Sequence, residues 1–278
     1  MSPEPLHRRA SFDRVSDVYH GIRPGYPAPL FDVLFGLLPA RPRILEVGPG
    51  TGQATRDLLR HDAKVHAIEL GPALATRLRE ELPSPDLTVT VGDFEQIPME
   101  DRAYDAIFSA TAYHWIAPHA QLDRPAQLLT PGGLLAVVDL IQVNSDDDRG
   151  FFDAAQPIYD RYGEGHHGPP APPRHRVDPP MRQLLERDRR FESVTVRRYD
   201  WDQTYSAAEY RQLMLSYSAT QAMEPDARAG LLDDIEAFVV QRFDGEVTRP
   251  LVVTLTTAAR TAEEAGVPAI GGNQPNVC

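Results

Sequence analysis

The sequence predicts an α/β protein built on a doubly wound, mainly parallel sheet with helices on both faces and a helical cap. Three observations carry that prediction. Short apolar runs rich in Ile, Leu and Val alternate with segments of helical periodicity between residues 43 and 140, and such alternation implies parallel strands joined by right-handed crossovers. The first run ends in a glycine-rich turn, Gly48-Pro49-Gly50-Thr51-Gly52. The next two end in acidic residues, Glu69 and, after Gly92, Asp93.

Taken in order, Ser11 is placed to cap a helix over residues 12–20. Arg23-Pro24-Gly25-Tyr26-Pro27 breaks it, and 30–38 resumes at helical spacing. Residues 44–47 (ILEV) form a short buried strand, and 53–60 a helix. Strand 64–70 and helix 73–82 follow, then strands 87–91 and 104–109 and a helix over 119–129. Pro131-Gly132-Gly133 turns the chain into a fifth strand at 134–140. From 142 to 190 the rhythm breaks. A polar run, Asn144 to Asp148, precedes a helical piece at 151–162, and then six prolines fall within 169–180. Prolines at that density give an extended, irregular segment, which we read as an excursion covering the site. Strand character returns at 193–199, helices at 206–217 and 225–243, and a last strand at 250–257. The chain thus divides into a helical cap segment at 1–40, a main domain at 41–260 with insertions at 142–190 and 206–243, and a disordered tail at 261–278.

A chain of 278 residues buries a substantial core. Its 42% hydrophobic and 24% charged residues place it among globular chains rather than disordered or membrane ones. Asp and Glu outnumber Lys and Arg 40 to 28, a net charge of −12. Binding a phosphate backbone needs clustered cationic surface, so nucleic acid is not the expected partner, and a small molecule is. The single cysteine, Cys278, excludes an internal disulfide and suits a reducing cytoplasm. The first twenty residues lack the apolar core of a signal peptide. No apolar run approaches the roughly 20 residues that span a bilayer, so no membrane partner is expected. Nothing in the sequence marks an oligomeric state.

The chemistry concentrates at strand ends. Glycines after the first strand permit positive φ and let a ligand approach bare backbone. The following helix offers unpaired N–H groups. A dinucleotide fingerprint is G-x-G-x-x-G; here the third glycine arrives one residue early, and Gln53 stands in its place. Glu46, before the turn, would repel a pyrophosphate but suits a ligand carrying sulfonium and ammonium groups. Glu69 can accept hydrogen bonds from both ribose hydroxyls, or be an ordinary solvent-facing Glu at a strand end. Asp93 can accept an adenine amine while Phe94 lines a base pocket, or simply form a turn.

Glu46 to Gly52, Glu69, Gly92-Asp93 and Pro131-Gly132-Gly133 resemble the motif series of class I S-adenosylmethionine-dependent methyltransferases. Tyr19-x-x-x-Arg23-Pro24-Gly25-Tyr26-Pro27, Ser109 to Trp115 and Tyr199-x-Trp201-x-x-Thr204-Tyr205-Ser206-Ala207 resemble, more narrowly, the trans-aconitate methyltransferase-like branch of the type 11 family. The resemblance spans roughly residues 12–260. It implies a seven-stranded sheet of order 3-2-1-4-5-7-6 with the last strand antiparallel, and S-adenosylmethionine as cofactor. By matching position, Gly48, Gly50, Thr51 and Gly52 hold its methionine part, Glu69 the ribose, and Asp93 with Phe94 the adenine. Ala110 and Thr111 sit beside the sulfonium. Tyr19 and Arg23 are candidates for its carboxylate, Arg23 by a charge-assisted bond, against a surface-arginine alternative.

Methyl transfer is an in-line displacement, and good orientation supplies roughly 7–11 kcal/mol of such a barrier. A base is needed only when the acceptor must lose a proton. His114 is the candidate, because imidazole titrates near neutrality; its alternative is to pack and orient the pocket. Tyr113 and Trp115 are expected on the acceptor wall, with core packing as their alternative. His166, His167 and His175 lack further ligands at a metal-binding spacing, so no metal is expected. The expected function is methyl transfer to an O, N or C atom of a small molecule, a carboxylate included. The alternative is a protein of the same fold that binds the cofactor without transferring methyl, a cyclase or a binding module. A nicotinamide dehydrogenase is disfavoured by the glycine spacing.

Overall fold

The computed structural model describes residues 25–165 and 170–262. The expectations for the helix at 12–20, for Tyr19, Arg23, His166 and His167, and for Cys278 and its tail lie outside those residues.

In chain order the elements are α1 (Ala28–Phe35), β1 (Arg43–Val47), α2 (Thr55–Arg60), β2 (Lys64–Glu69), α3 (Pro72–Glu81), β3 (Leu87–Val91), β4 (Tyr104–Ala110), α4 (Ala120–Leu128) and β5 (Leu129–Gln142). Then come α5 (Phe151–Arg161), α6 (Pro180–Arg187), β6 (Phe191–Asp200), β7 (Gln203–Ser206), α7 (Ala207–Leu215), α8 (Ser218–Ala222), α9 (Pro225–Arg242), β8 (Glu246–Arg249) and β9 (Leu251–Arg260). Seven strands form one sheet in the order β3-β2-β1-β4-β5-β9-β6. β1 to β5 pair in parallel, whereas β9 runs antiparallel to both β5 and β6. Because β9 is the seventh strand of that sheet along the chain, this is the expected order 3-2-1-4-5-7-6.

Alternation along the central strands sends successive side chains to opposite faces. Ile44, Phe108, Ala136 and Val138 meet α1 and α2 through Leu30, Phe31, Leu34 and Leu58. Leu45, Ile107, Leu135 and Val137 meet α4 and α6 through Ala126, Leu128, Met181 and Leu185. Both faces are covered, which is why β1 and β4 read as near-continuous apolar runs.

The structure differs from the sequence reading in three places. β5 starts at Leu129 instead of 134, because the Pro131-Gly132 signal marks an irregularity in the β4–β5 register rather than a separate turn. α6 lies inside the proline-rich stretch: Pro180 occupies its first turn, where a missing N–H costs nothing. The sequence reading also lacked the two-stranded ribbon of β7 and β8, whose four-residue strands pair only with each other. Beyond the sheet, α5, α7, α9 and this ribbon share a separate apolar cluster that includes Phe151, Tyr210, Leu213, Ile235, Val239 and Val247. Segments from both expected insertions thus pack together as a helical lobe. α7 enters it through a capping box, Ser206 accepting from the Glu209 N–H while Glu209 reaches back to the Ser206 N–H.

Candidate functional site

At the carboxyl end of β1 the chain takes positive φ at Gly48 (+68°), Gly50 (+60°) and Gly52 (+94°). A Cβ on Gly48 would stand 2.5 Å from the Cβ of Ala112, so the loop after β4 fits against the turn only because Gly48 has no side chain. The turn is tied to the neighbouring strand. The Gly48 N–H donates to the Ile68 carbonyl at 3.0 Å. Glu69, buried at the end of β2, accepts the Gly50 N–H at 3.0 Å and the Gly71 N–H at 2.9 Å. One carboxylate therefore joins two adjacent strand–helix turns.

Glu46 is only 1% exposed, and its carboxyl accepts a 2.7 Å bond from the Thr55 hydroxyl. Burial, aided by the charge of Glu69 and opposed by the Thr55 bond, pushes its pKa up to about 8. At neutral pH the carboxyl is largely protonated, and a cation beside it would draw it back to the charged form.

These groups floor an open cleft of about 920 Å³, a volume that merges with solvent. Of the residues expected at the cofactor, Glu46, Gly48, Gly50, Glu69, Phe94, Ala110 and Thr111 line it, and so does Trp115 from the expected acceptor wall. Thr51 and Gly52 do not. Thr51 is fully buried, its hydroxyl paired with the Gln53 side chain, and Gly52 packs where a Cβ would meet Leu78 and Leu82. Both shape the turn from behind. Asp93 also lies off the lining, and its carboxylate accepts the Glu95 N–H at 3.0 Å and the Gln96 amide at 3.3 Å, the turn-forming arrangement.

Two more of the expected site residues, Tyr113 and His114, lie off the cleft lining. Tyr113 is 1% exposed and belongs to the core between the sheet and α4, its hydroxyl donating to the Gln121 carbonyl at 2.6 Å. Burial holds that phenol well above its ordinary pKa. It therefore anchors the loop after β4 and does not wall the cleft. His114 is exposed and lies off the lining, its ring centroid 4.9 Å from that of Trp115. Sequence reasoning missed Tyr26, which lines the cleft and whose hydroxyl lies 3.2 Å from the Thr111 hydroxyl. The signal was within the Arg23-Pro24-Gly25-Tyr26-Pro27 motif itself. Thr111 holds φ at +55°, a conformation uncommon outside glycine. Among the described residues there is no cluster of metal-ligating side chains and no helix long and apolar enough to cross a membrane.

Residues 45–137 match the family described as "Methyltransferase domain". The matched stretch is similar to a methyltransferase domain. It runs from β1 into β5 and carries nearly all of the cleft. An uncharacterised methyltransferase of Mycobacterium bovis is 36% identical over 129 residues, which is 46% of this chain and 51% of the relative. The chain thus spans about half the length of the first curated relatives it matches. Among solved structures, the [4+2]-cyclase SpnF is 18% identical with a TM-score of 0.55, covering 94% of this chain and 98% of that one. A phosphoethanolamine N-methyltransferase of Haemonchus contortus, in complex with phosphomonomethylethanolamine and S-adenosylhomocysteine, is 17% identical with a TM-score of 0.54, covering 93% and 60%. These likenesses show that the matched stretch and the strands after it share one fold with those structures. The helical lobe lies beyond the family match, which ends at Val137.

Proposed function

We propose that this chain transfers a methyl group from S-adenosylmethionine to a small-molecule acceptor, leaving S-adenosylhomocysteine. One observation carries the proposal: two buried carboxyls, Glu46 and Glu69, flank the bare backbone of Gly48 and Gly50 at the carboxyl edge of the sheet. That combination offers a phosphate no counter-charge and suits a ligand with a cationic end and a sugar. When bound, S-adenosylmethionine supplies an electrophilic methyl group on a positively charged sulfur.

The roles follow from the contacts. Each Glu69 oxygen accepts one backbone N–H, and the carboxylate is assigned to the ribose hydroxyls. Glu46 favours the cationic end by ionising. Phe94 offers an apolar wall to the base, and Asp93, beside it, is assigned to the adenine amine on the sequence motif. Tyr26, Thr111 and Trp115 shield the reacting end from water and orient the acceptor. Tyr19 and Arg23 are assigned to the cofactor carboxylate, on the sequence motif alone. His114 is either the base for an acceptor that must lose a proton or an orienting group beside Trp115. The trans-aconitate-like motifs favour a carboxylate acceptor. We place the enzyme in the cytoplasm, in secondary metabolism, with no nucleic-acid partner.

Calorimetry with S-adenosylmethionine and S-adenosylhomocysteine tests the reading first, and both are expected to bind. A labelled methyl group should then leave the cofactor when carboxylic, phenolic and amine acceptors are screened. Failure to bind either molecule rejects the proposal. Binding with no transfer across the screen favours the non-transferring alternative.

A further inference from the structure

A second polar constellation lies where the helical lobe meets the sheet. Arg249 ends β8 and is half-buried. Its Nη2 donates to the Gln142 amide oxygen at 3.0 Å, and its guanidinium carbon lies 5.8 Å from the centroid of the Tyr217 ring. The phenols of Tyr159, Tyr205 and Tyr210 are within electrostatic reach. Among the described residues, no carboxylate pairs with Arg249. A chain with a net charge of −12 has acidic groups in excess, yet this guanidinium, sunk among aromatic rings, is left with a neutral amide. A partly desolvated cation without a counterion is costly, and its planar fork matches a carboxylate.

The constellation connects to the cleft along one strand. The Thr111 N–H, at the reacting end, donates to the Val138 carbonyl of β5 at 2.8 Å. Leu140 and Gln142 share the face of Val138 by the period of two, so Gln142 lies about 13 Å further along the strand. Tyr26, Leu140 and Trp201 all pack against that same face. Trp201 adds a second observation: its buried indole Nε1 has no hydrogen-bond acceptor. One buried donor without an acceptor, the Trp201 indole, and one guanidinium paired only with a neutral amide thus lie beyond the reacting end along β5.

We infer that Arg249, with Gln142 and the Tyr217 ring, is a subsite for a carboxylate of the methyl acceptor, distant from the atom that is methylated. The link to catalysis rests on the methyl-transfer reading of the cleft; the anion subsite does not. The ligand is a molecule with one reacting group and one fixed negative charge about a strand's length apart.

The test uses the full chain, with and without S-adenosylhomocysteine. Probes are α,ω-dicarboxylates from glutarate to suberate, their dimethyl esters, and inorganic phosphate, with binding read by calorimetry. At least one diacid is expected to bind, and its diester about thirtyfold or more weakly, the low end for losing one partner of a desolvated charge pair. Arg249→Gln should reduce diacid binding to the level of the ester, and Arg249→Lys should retain part of it. Gln142→Glu should abolish it by supplying an internal counterion, and because it adds a pairing rather than removing one, it guards against a variant that fails to fold. All variants should bind S-adenosylhomocysteine as the wild type does. Equal binding of acid and ester, an Arg249→Gln protein that still binds the diacid, or a site that takes only phosphate overturns the inference. A wild type that refuses S-adenosylhomocysteine rejects the methyl-transfer reading instead, and the diacid measurements without it still decide the subsite.

Discussion

Glu46 is where a single side chain makes the most distinctive claim. A carboxyl whose pKa rises from 4.5 to about 8 on folding binds its proton more tightly in the folded state than in the unfolded chain. Its contribution is fully present below about pH 4.5 and is lost as pH climbs to about 8. Urea unfolding of the ligand-free protein at pH 5 and pH 8 should therefore show Glu46→Gln to be the less pH-sensitive protein over that interval. An equal pH dependence in both would show that the carboxyl is ionised throughout. Gly48→Ala places a side chain at positive φ, which costs about 1–3 kcal/mol, and drives its Cβ onto Ala112. We expect reduced stability on denaturant titration and loss of cofactor binding together. His114→Ala separates two roles: loss of a general base lowers kcat by roughly 10²–10⁴, whereas loss of an orienting ring lowers it by less. Its exposure and its place off the cleft lining favour the smaller effect.

At the scale of the element, what could be read depended on whether a segment's pattern had one physical cause. β1 and β2 were legible to within a residue because buried parallel strands must be apolar on both faces, and β3, at the sheet edge, because its run is rich in β-branched residues. The Gly48 turn was legible because close backbone approach excludes every other residue. The β7–β8 ribbon was not, since four polar-rich residues satisfy no periodicity, and the pairing of Tyr205 with Val247 spans a long separation in sequence. Tyr113 and Trp115 illustrate the same limit within the site. They are aromatic neighbours two residues apart in one short turn, and only the fold decides which faces the core. The Ser206 capping box tests the lobe's local logic: Ser206→Ala should cost about 1 kcal/mol in thermal or urea unfolding, without changing affinity for S-adenosylhomocysteine. An affinity loss would mean that α7 reaches the cofactor.

Across the whole molecule, the sheet's two cores and the lobe's cluster are distinct apolar bodies, and the cleft belongs to the first. S-adenosylhomocysteine at a hundred times its Kd should raise the unfolding free energy by about 2.7 kcal/mol if it binds only the folded state. Hydrogen exchange should show the new protection in the turns after β1, β2 and β4 and not in α7 or α9. Protection spreading through those helices would place them in the cofactor site and contradict the division. Glu69, finally, has a consequence for how the cleft fills. Because its two oxygens already clamp the Gly50 and Gly71 amides, the receptacle is rigid before any guest arrives. Association should then demand little ordering of the chain, in keeping with the low entropic toll of a preformed host, and the backbone at 48–52 should superpose closely between the vacant and loaded forms.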